Sequence, residues 1–378
     1  MTLPRTGHNE SASGRLAGRL RVMPRALAHR FLNLRRREQP LAPRRILVAH
    51  HLLVGDVLML TPLLAKLRER HPGADVALAV SRSIAPLYSG RPYGTRALVY
   101  EPRDPASLDA FFDGPGFDLA IVPGDNRYSW LAAAARARWI VAFGGDIPAA
   151  KSWPADELRP YRATPAAWGD MVADLADGAP PRAYSPANWP APACAPFDAP
   201  GGRYAVLHVE TSTSLKNWED GKWLSVAEWL FANGITPIWS AGPAGAGLLK
   251  RIDPSGRFPA LGHRLDLAQL WNLIAGAALL VCPDTSVMHV GRLTGTPTVA
   301  LFGPSSALLF GPGEFWRAMP YRAVTVADFP CRDQHRLFKR DIAWVRRCQR
   351  SIEECPAPRC MQAVDVGDVT RAAAELLR

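Results

Sequence analysis

The sequence alternates short β-rich runs with longer runs of helical period, and it does so twice, on either side of a proline-rich stretch. In the first series, 45–50 (RILVAH), 75–80 (DVALAV), 97–101 (ALVYE), 118–122 (DLAIV) and 139–143 (WIVAF) read as strands. Helices are predicted between them over 56–70 and 129–138. Residues 179–201 then carry seven prolines and little periodicity, which reads as a linker. The second series has strands at 204–209, 235–240, 279–282 and 297–302, and helices at 222–233, 266–277 and 286–294. A last helix over 366–377 starts at Asp365 or Asp368. Alternation of this kind builds βαβ units and a parallel sheet. The 378 residues are enough for two such domains. The predicted division is a tail (1–43), a first doubly wound domain (44–178), a linker (179–202), a second doubly wound domain (203–364) and a closing helix (365–378). Ligands of doubly wound sheets bind at the carboxyl ends of the strands, so the cleft between the two domains is the expected site.

Charge is unevenly placed. Residues 1–45 hold eleven Arg against two Glu, which is nine of the net +11 charges. The stretch GRLAGRLRVMPRALAHRFLNLRRR interleaves apolar residues with Arg. Two readings stay open for it: a basic amphipathic segment on an anionic membrane surface, and a disordered solubilising arm. Pro24 is expected to break it into two short pieces. The body shows neither a basic stripe nor a nucleic-acid motif, so no nucleic-acid partner is expected. The longest apolar stretches run to about ten residues, short of the ~20 needed to span a bilayer. With no apolar h-region at the N-terminus to mark a secretory signal, the chain reads as a soluble cytoplasmic protein.

Chemistry concentrates at the predicted strand ends. In 281–290 (VCPDTSVMHV) an apolar strand ends at Pro283, and Asp284-Thr285-Ser286 lead into a helix carrying His289. A helix opening at the carboxyl end of a parallel strand points unpaired N–H groups at the crevice, which suits a diphosphate. The same three residues are also ordinary helix caps. Asp56 follows the first strand in Leu53-Val54-Gly55-Asp56. It is either a general base for an attacking hydroxyl or a cap at the positive end of a helix. Lys216 sits after the first strand of the second domain, where a cation can neutralise a departing diphosphate. Neither domain shows a G-x-G-x-x-G after its first strand, which argues against a nicotinamide dehydrogenase.

Four blocks, RILVAHHLLVGDVLMLTPLLAKLRERHP (45–72), VLHVETSTSLKNWEDGKW (206–223), PDTSVMH (283–289) and PTVALFGP (297–304), stand in order along the chain. Together they resemble glycosyltransferase family 9, the heptosyltransferase-like enzymes of bacterial surface-glycan assembly. The resemblance implies an α/β fold of the GT-B type, two Rossmann-like domains facing a central cleft. It implies an inverting transferase needing no metal for catalysis. An ADP-activated heptose would be the donor, and a lipopolysaccharide or other glycan or glycolipid the acceptor. A protein-modifying, autotransporter-type heptosyltransferase and an inactive nucleotide- or glycan-binding scaffold are the alternatives. By the same resemblance Asp56 is the general base. Lys216, Thr211, Ser212, Asp284, Thr285, Ser286 and His289 hold the donor, and Leu265 packs its base.

Two departures stand out. Ser286 replaces a common Gly. Residues 241–247 (AGPAGAG) lack the carboxylate that the family often carries there for the ribose hydroxyls. No D-x-D triplet occurs anywhere in the chain.

On the acceptor side, Asn126 and Arg127 follow the strand DLAIV. Arg127 meets either an acidic group on the acceptor or a local partner. His50 and His51 end the first strand, with packing their simplest role. Cys331, Cys348, Cys355 and Cys360 fall in the last 48 residues, with His335 nearby. They read either as soft ligands for a structural Zn or Fe or as scattered structural thiols, the spacing lacking any C-x-x-C.

Overall fold

The computed structural model describes residues 21–32, 38–242, 245–261, 264–327 and 329–378. The first sheet is entirely parallel. Its strands are β1 (Arg45–Val48), β2 (Asp75–Val80), β3 (Thr95–Val99), β4 (Phe117–Val122), β5 (Ala137–Phe143) and β6 (Glu157–Arg159). Their spatial order is β3-β2-β1-β4-β5-β6, with Ile46 paired to both Val76 and Leu119. The second sheet holds β7 (Tyr204–His208), β8 (Thr236–Ser240), β9 (Leu279–Pro283), β10 (Thr298–Phe302) and β11 (Tyr321–Thr325) in the order β8-β7-β9-β10-β11, also parallel. These are the two common doubly wound orders. Each leaves a crevice where strand order reverses, at β1/β4 and at β7/β9.

The helices are α1 (21–32), α2 (Val54–Leu58), α3 (Thr61–Arg70), α4 (Pro105–Phe112), α5 (Tyr128–Ala134) and α6 (Trp168–Val172). In the second half come α7 (Asp220–Ala232), α8 (Ala246–Ile252), α9 (Leu267–Ala275), α10 (Ser286–Thr294), α11 (Ala307–Phe310), α12 (Arg359–Gln362) and α13 (Val366–Leu377). The helix expected over 56–70 is two helices. Pro62 sits in the first turn of α3, where its missing N–H costs nothing, and Thr61 Oγ1 closes the joint on Leu58 O at 2.6 Å. The helix expected over 129–138 stops at Ala134, because β5 has begun by Ala137. β6 and β11 were not expected. They are edge strands, one short and the other exposed along part of its length, and neither leaves an alternating pattern. Asp365 caps α13 through the Gly367 N–H at 2.7 Å.

One buried apolar cluster runs through both domains, from Ile46, Leu63 and Trp168 to Val206, Leu280 and Phe302. The proline-rich run is a packed strap. Its Trp189 lies between Tyr88 and Trp271, with ring centroids 5.2 and 5.5 Å away. Its Tyr184 Oη donates to Leu293 O at 2.7 Å. Over 21–32 the tail is helical straight through Pro24, and the rest of the Arg-rich stretch lies outside the described residues. α1 lies on the first domain: Ala26 is fully buried, Arg30 forms a buried ion pair with Asp156 at 2.9 Å, and Arg21 pairs with Asp109 at 2.7 Å. Among the described residues no helix is long and apolar enough to cross a membrane.

The Cys-rich segment crosses back to the first domain. Its hairpin, β12 (Arg336–Leu337) and β13 (Arg340–Asp341), seats the buried Arg340 on Gly144 O at 2.8 Å and Gly124 O at 3.0 Å. A second fastener is Asp170 on α6, whose carboxylate accepts from the Glu314 and Phe315 N–H groups at 2.7 and 3.1 Å. Asp170→Ala should leave both donors without a partner. A loss of about 1–3 kcal/mol is expected, read as a fall of about 2–4 °C in the thermal midpoint. An unchanged midpoint would show that this contact is not holding the domains.

Candidate active site

The two crevices face each other, and the close approach is made at Gly55. A Cβ there would stand 3.2 Å from His289 Cδ2 and 3.4 Å from Ser286 Cα. With no side chain, α2 can lie directly on α10, and the next residue, Asp56, is carried to the end of β9. Burial and the charge of Asp284 push the Asp56 carboxyl up to about 6, against the pull of Arg347 and Lys216. Those neighbours come from three separate parts of the second half.

Lys216 ends a short helical turn after β7, capped by Thr213. Its Nζ lies 2.7 Å from Asp284 Oδ2 and 2.9 Å from Asp284 O, across the β7/β9 crevice. Ser305 Oγ donates to the same carboxylate oxygen. Trp218 anchors the loop from below, with Nε1 donating to Val364 O at 3.0 Å. Thr211 Oγ1 is tied to Thr213 O at 2.6 Å and Asn217 Oδ1 at 2.7 Å, while Ser212 is exposed. Thr285 is the N-cap of α10 and makes no side-chain cap bond; its buried Oγ1 has no hydrogen-bond partner among the described residues. Leu265 is half-buried just before the Asp266 cap of α9.

His289 is buried, and burial followed by the charges of Arg292 and Lys216 hold its pKa well down, so the ring is neutral. Its Nδ1 accepts from the Arg292 guanidinium, which can only donate. The imidazole proton is therefore on Nε2, the nitrogen nearer Gly55. His50 is likewise buried and neutral, pulled down to about 3 by burial and by His51.

Sequence reading missed Arg347. It is part of the Cys-rich segment, in a stretch (AWVRRCQR) with no motif to single it out. Burial pulls its pKa down, and Asp284 and Asp56 oppose that pull. Its Nε is buried without a partner among the described residues. The site thus gathers Asp56 and Asp284 with Lys216, Arg347, a neutral His289 donor and the open first turn of α10. Two carboxylates amid fixed donors and cations can take a proton on one side and hold an anion on the other.

At the carboxyl ends of the first sheet, with His51 and Glu101 in its lining, lies a cavity of about 930 Å³. Val22 and Met23 of α1, Tyr100, Tyr128 and Trp130 make an apolar wall, and Arg103, Arg127, Lys151 and Lys339 supply cations. Arg127 is paired with Asp125 and half-exposed. Asn126 departs from expectation: it is fully buried, with Nδ2 donating to Phe143 O and Ser152 Oγ at 2.7 Å each and Oδ1 accepting from Arg340 at 2.6 Å. Its side chain fastens the hairpin and does not reach the cavity.

All six cysteines are free thiols. Burial, and then Cys348 and Cys355, raise the Cys331 pKa, and Cys360 is pushed up to about 11 by burial and Cys331. The thiols are therefore neighbours, yet among the described residues no three His, Cys, Asp or Glu side chains are set to hold a metal ion.

A profile of glycosyltransferase family 9 (heptosyltransferase) matches residues 177–333. Lipopolysaccharide heptosyltransferase 3 of Escherichia coli is 22% identical over 312 residues, which is 74% of this chain and 89% of that protein. The structure of the E. coli ADP-heptose lipopolysaccharide heptosyltransferase II superposes with a TM-score of 0.67 at 16% identity, covering 88% of this chain and 98% of that one. The iron-containing dodecameric glycosyltransferase TibC of enterotoxigenic E. coli superposes with a TM-score of 0.54 at 14% identity, over 90% and 77%. The solved structures share the fold.

Since Arg347 opposes the rise at Asp56, Arg347→Met should move that carboxyl's titration above about 6. The shift is read from its ¹³C resonance against pH. A titration that stays in place would separate the two groups.

Proposed function

We propose that the chain is a glycosyltransferase of family 9, an inverting heptosyltransferase that transfers a sugar from an ADP-activated donor to a surface-glycan acceptor. The observation carrying this reading is Asp56, held at about 6 within the field of Lys216, Arg347 and Asp284. A base poised near the working pH accepts a proton readily and is mostly ionised at neutrality. The acceptor oxygen attacks the anomeric carbon as its proton passes to the Asp56 carboxylate. The bond from that carbon to the diphosphate breaks, and the nucleoside diphosphate leaves with the electron pair. Attack opposite the leaving group inverts the configuration.

Lys216, Arg347, the Nε2–H of His289 and the first-turn N–H groups of α10 supply positive potential to the departing diphosphate. Asp284 positions Lys216 through the 2.7 Å contact. In this reading no divalent cation enters the step. ADP and heptose are favoured because the E. coli heptosyltransferase II of the same fold is an ADP-heptose enzyme. The cavity at the carboxyl ends of the first sheet suits an acceptor with an anionic group for Arg103 and for the Asp125-paired Arg127 and Lys339, and a less polar part for the α1 wall. A lipopolysaccharide core is such a molecule. Cys331, Cys348, Cys355 and Cys360 would be the ligands of any structural metal, but their placement does not fit one without rearrangement.

The first test is thermal stabilisation by ADP, GDP, UDP and CDP, each with Mg²⁺ and with EDTA. Ligand at 100 times its dissociation constant adds about 2.7 kcal/mol. A shift with ADP alone, indifferent to EDTA, supports the reading, and a shift only with another nucleotide replaces the donor. Asp56→Asn should abolish transfer while ADP binding stays within a few-fold. In the unaltered enzyme the rate should fall about tenfold per unit below pH 6, as Asp56 protonates. A limb near pH 4 would mean an ordinary carboxylate.

Membrane contact is proposed through α1, where Phe31 and Leu32 are exposed beside the half-exposed Trp153. Arg21 and Arg30 are engaged on the body. Phe31→Ser with Leu32→Ser leaves those anchors and should reduce sedimentation with anionic liposomes. Equal sedimentation would remove this surface as the membrane contact.

A further inference from the structure

The loop after β8 (241–247, AGPAGAG) has no carboxylate of its own. A carboxylate nevertheless reaches it from the neighbouring strand. Glu210 stands just beyond β7, and its Oε2 would be 2.8 Å from a Cβ on Gly242 and 2.8 Å from a Cβ on Gly245. A side chain at either place would push that carboxylate aside, and one at Gly245 would also meet Ala241 Cβ. That oxygen is buried and has no hydrogen-bond partner among the described residues.

A buried carboxylate oxygen without a donor is costly, so its donors are expected to arrive with a ligand. The surroundings say which part of a ligand. Glu210 and Lys216 leave the same β7 loop toward opposite neighbours. Lys216 reaches across to Asp284 on the β9 side, and Glu210 covers the glycine turn on the β8 side. An anion placed beside Glu210 would be repelled, so the phosphates belong with Lys216. A neutral group rich in O–H donors fits against Glu210. A vicinal diol supplies two O–H donors, and the two oxygens of one carboxylate accept both. In doubly wound sheets an acid at the tip of the second strand takes the ribose hydroxyls. Here Ala241 and Gly242 follow that strand, and the acid comes from just beyond the first strand.

We propose that Glu210 binds the ribose 2′- and 3′-hydroxyls of a ribonucleoside diphosphate donor, with Gly242 and Gly245 keeping its place open. The assignment rests on the nucleotide-sugar reading above and adds the residue that distinguishes ribose from deoxyribose.

The test compares the affinities of ADP and 2′,3′-dideoxy-ADP by titration calorimetry, in the full-length protein and in Glu210→Ala. A charge-assisted pair of bonds predicts that the unaltered protein prefers ADP by about tenfold or more. In Glu210→Ala the ratio should collapse to within about twofold of unity while dideoxy-ADP affinity moves by less than about threefold. Glu210→Gln keeps the shape should the alanine variant fail to fold, and its ratio should also fall by several-fold. A preference retained in the variants overturns the assignment, as does an unaltered protein that binds both nucleotides equally. Binding of neither nucleotide by the unaltered protein overturns the nucleotide-sugar reading and this assignment with it.

Discussion

The approach of α2 to α10 at Gly55 is the contact on which the site depends. Two parallel sheets can face each other in many ways, and most would leave their crevices too far apart to share a reaction. Gly55 lets one helix start rest against another, 3.2 Å from His289 in the place where a Cβ would be. The base from the first domain and the anion-holding groups of the second then meet in one field. Larger residues there would separate the domains before they disturbed either one.

That field is a balance. Burial alone drives Asp56 toward its neutral form, and Asp284 adds to the drive. Arg347 and Lys216 pull the other way. The outcome, a carboxyl titrating near neutrality, needs all four residues, and they lie on four different stretches of chain. Arg292 plays a quieter part. It sits 4.8 Å over the Trp316 ring and against His289 Nδ1, so the imidazole is kept in one tautomer by a cation that is itself held by aromatic and carbonyl groups.

Regular periodicity made most of the fold legible. β2 (Asp75–Val80) and α10 (Ser286–Thr294) fall where the sequence put them. What was not legible depends on distant partners. Pro62 splits a continuous apolar pattern without interrupting it. β11 pairs at an edge and shows little alternation. Motifs pointed to Asp56, Lys216, Asp284 and His289 because each follows a strand at a crevice, and the structure gathers them there. Asn126 also follows such a strand, but its amide is consumed by Phe143, Ser152 and Arg340, which no local pattern announces. Arg347 arrives from an irregular segment, where position in space has no sequence signature.

The hairpin that carries Arg340 bears on how the molecule comes into being. The carbonyls it holds, Gly144 O and Gly124 O, lie 196 and 216 residues earlier in the chain. During synthesis the first sheet can pair its strands long before that arginine leaves the ribosome. The end of the sheet that lines the cleft must wait with those acceptors turned to water. Loops closed over such lengths form late, because their entropy is lost before any contact rewards it. The cleft is therefore finished last, and a chain cut short before the hairpin has a folded half without a completed place to work.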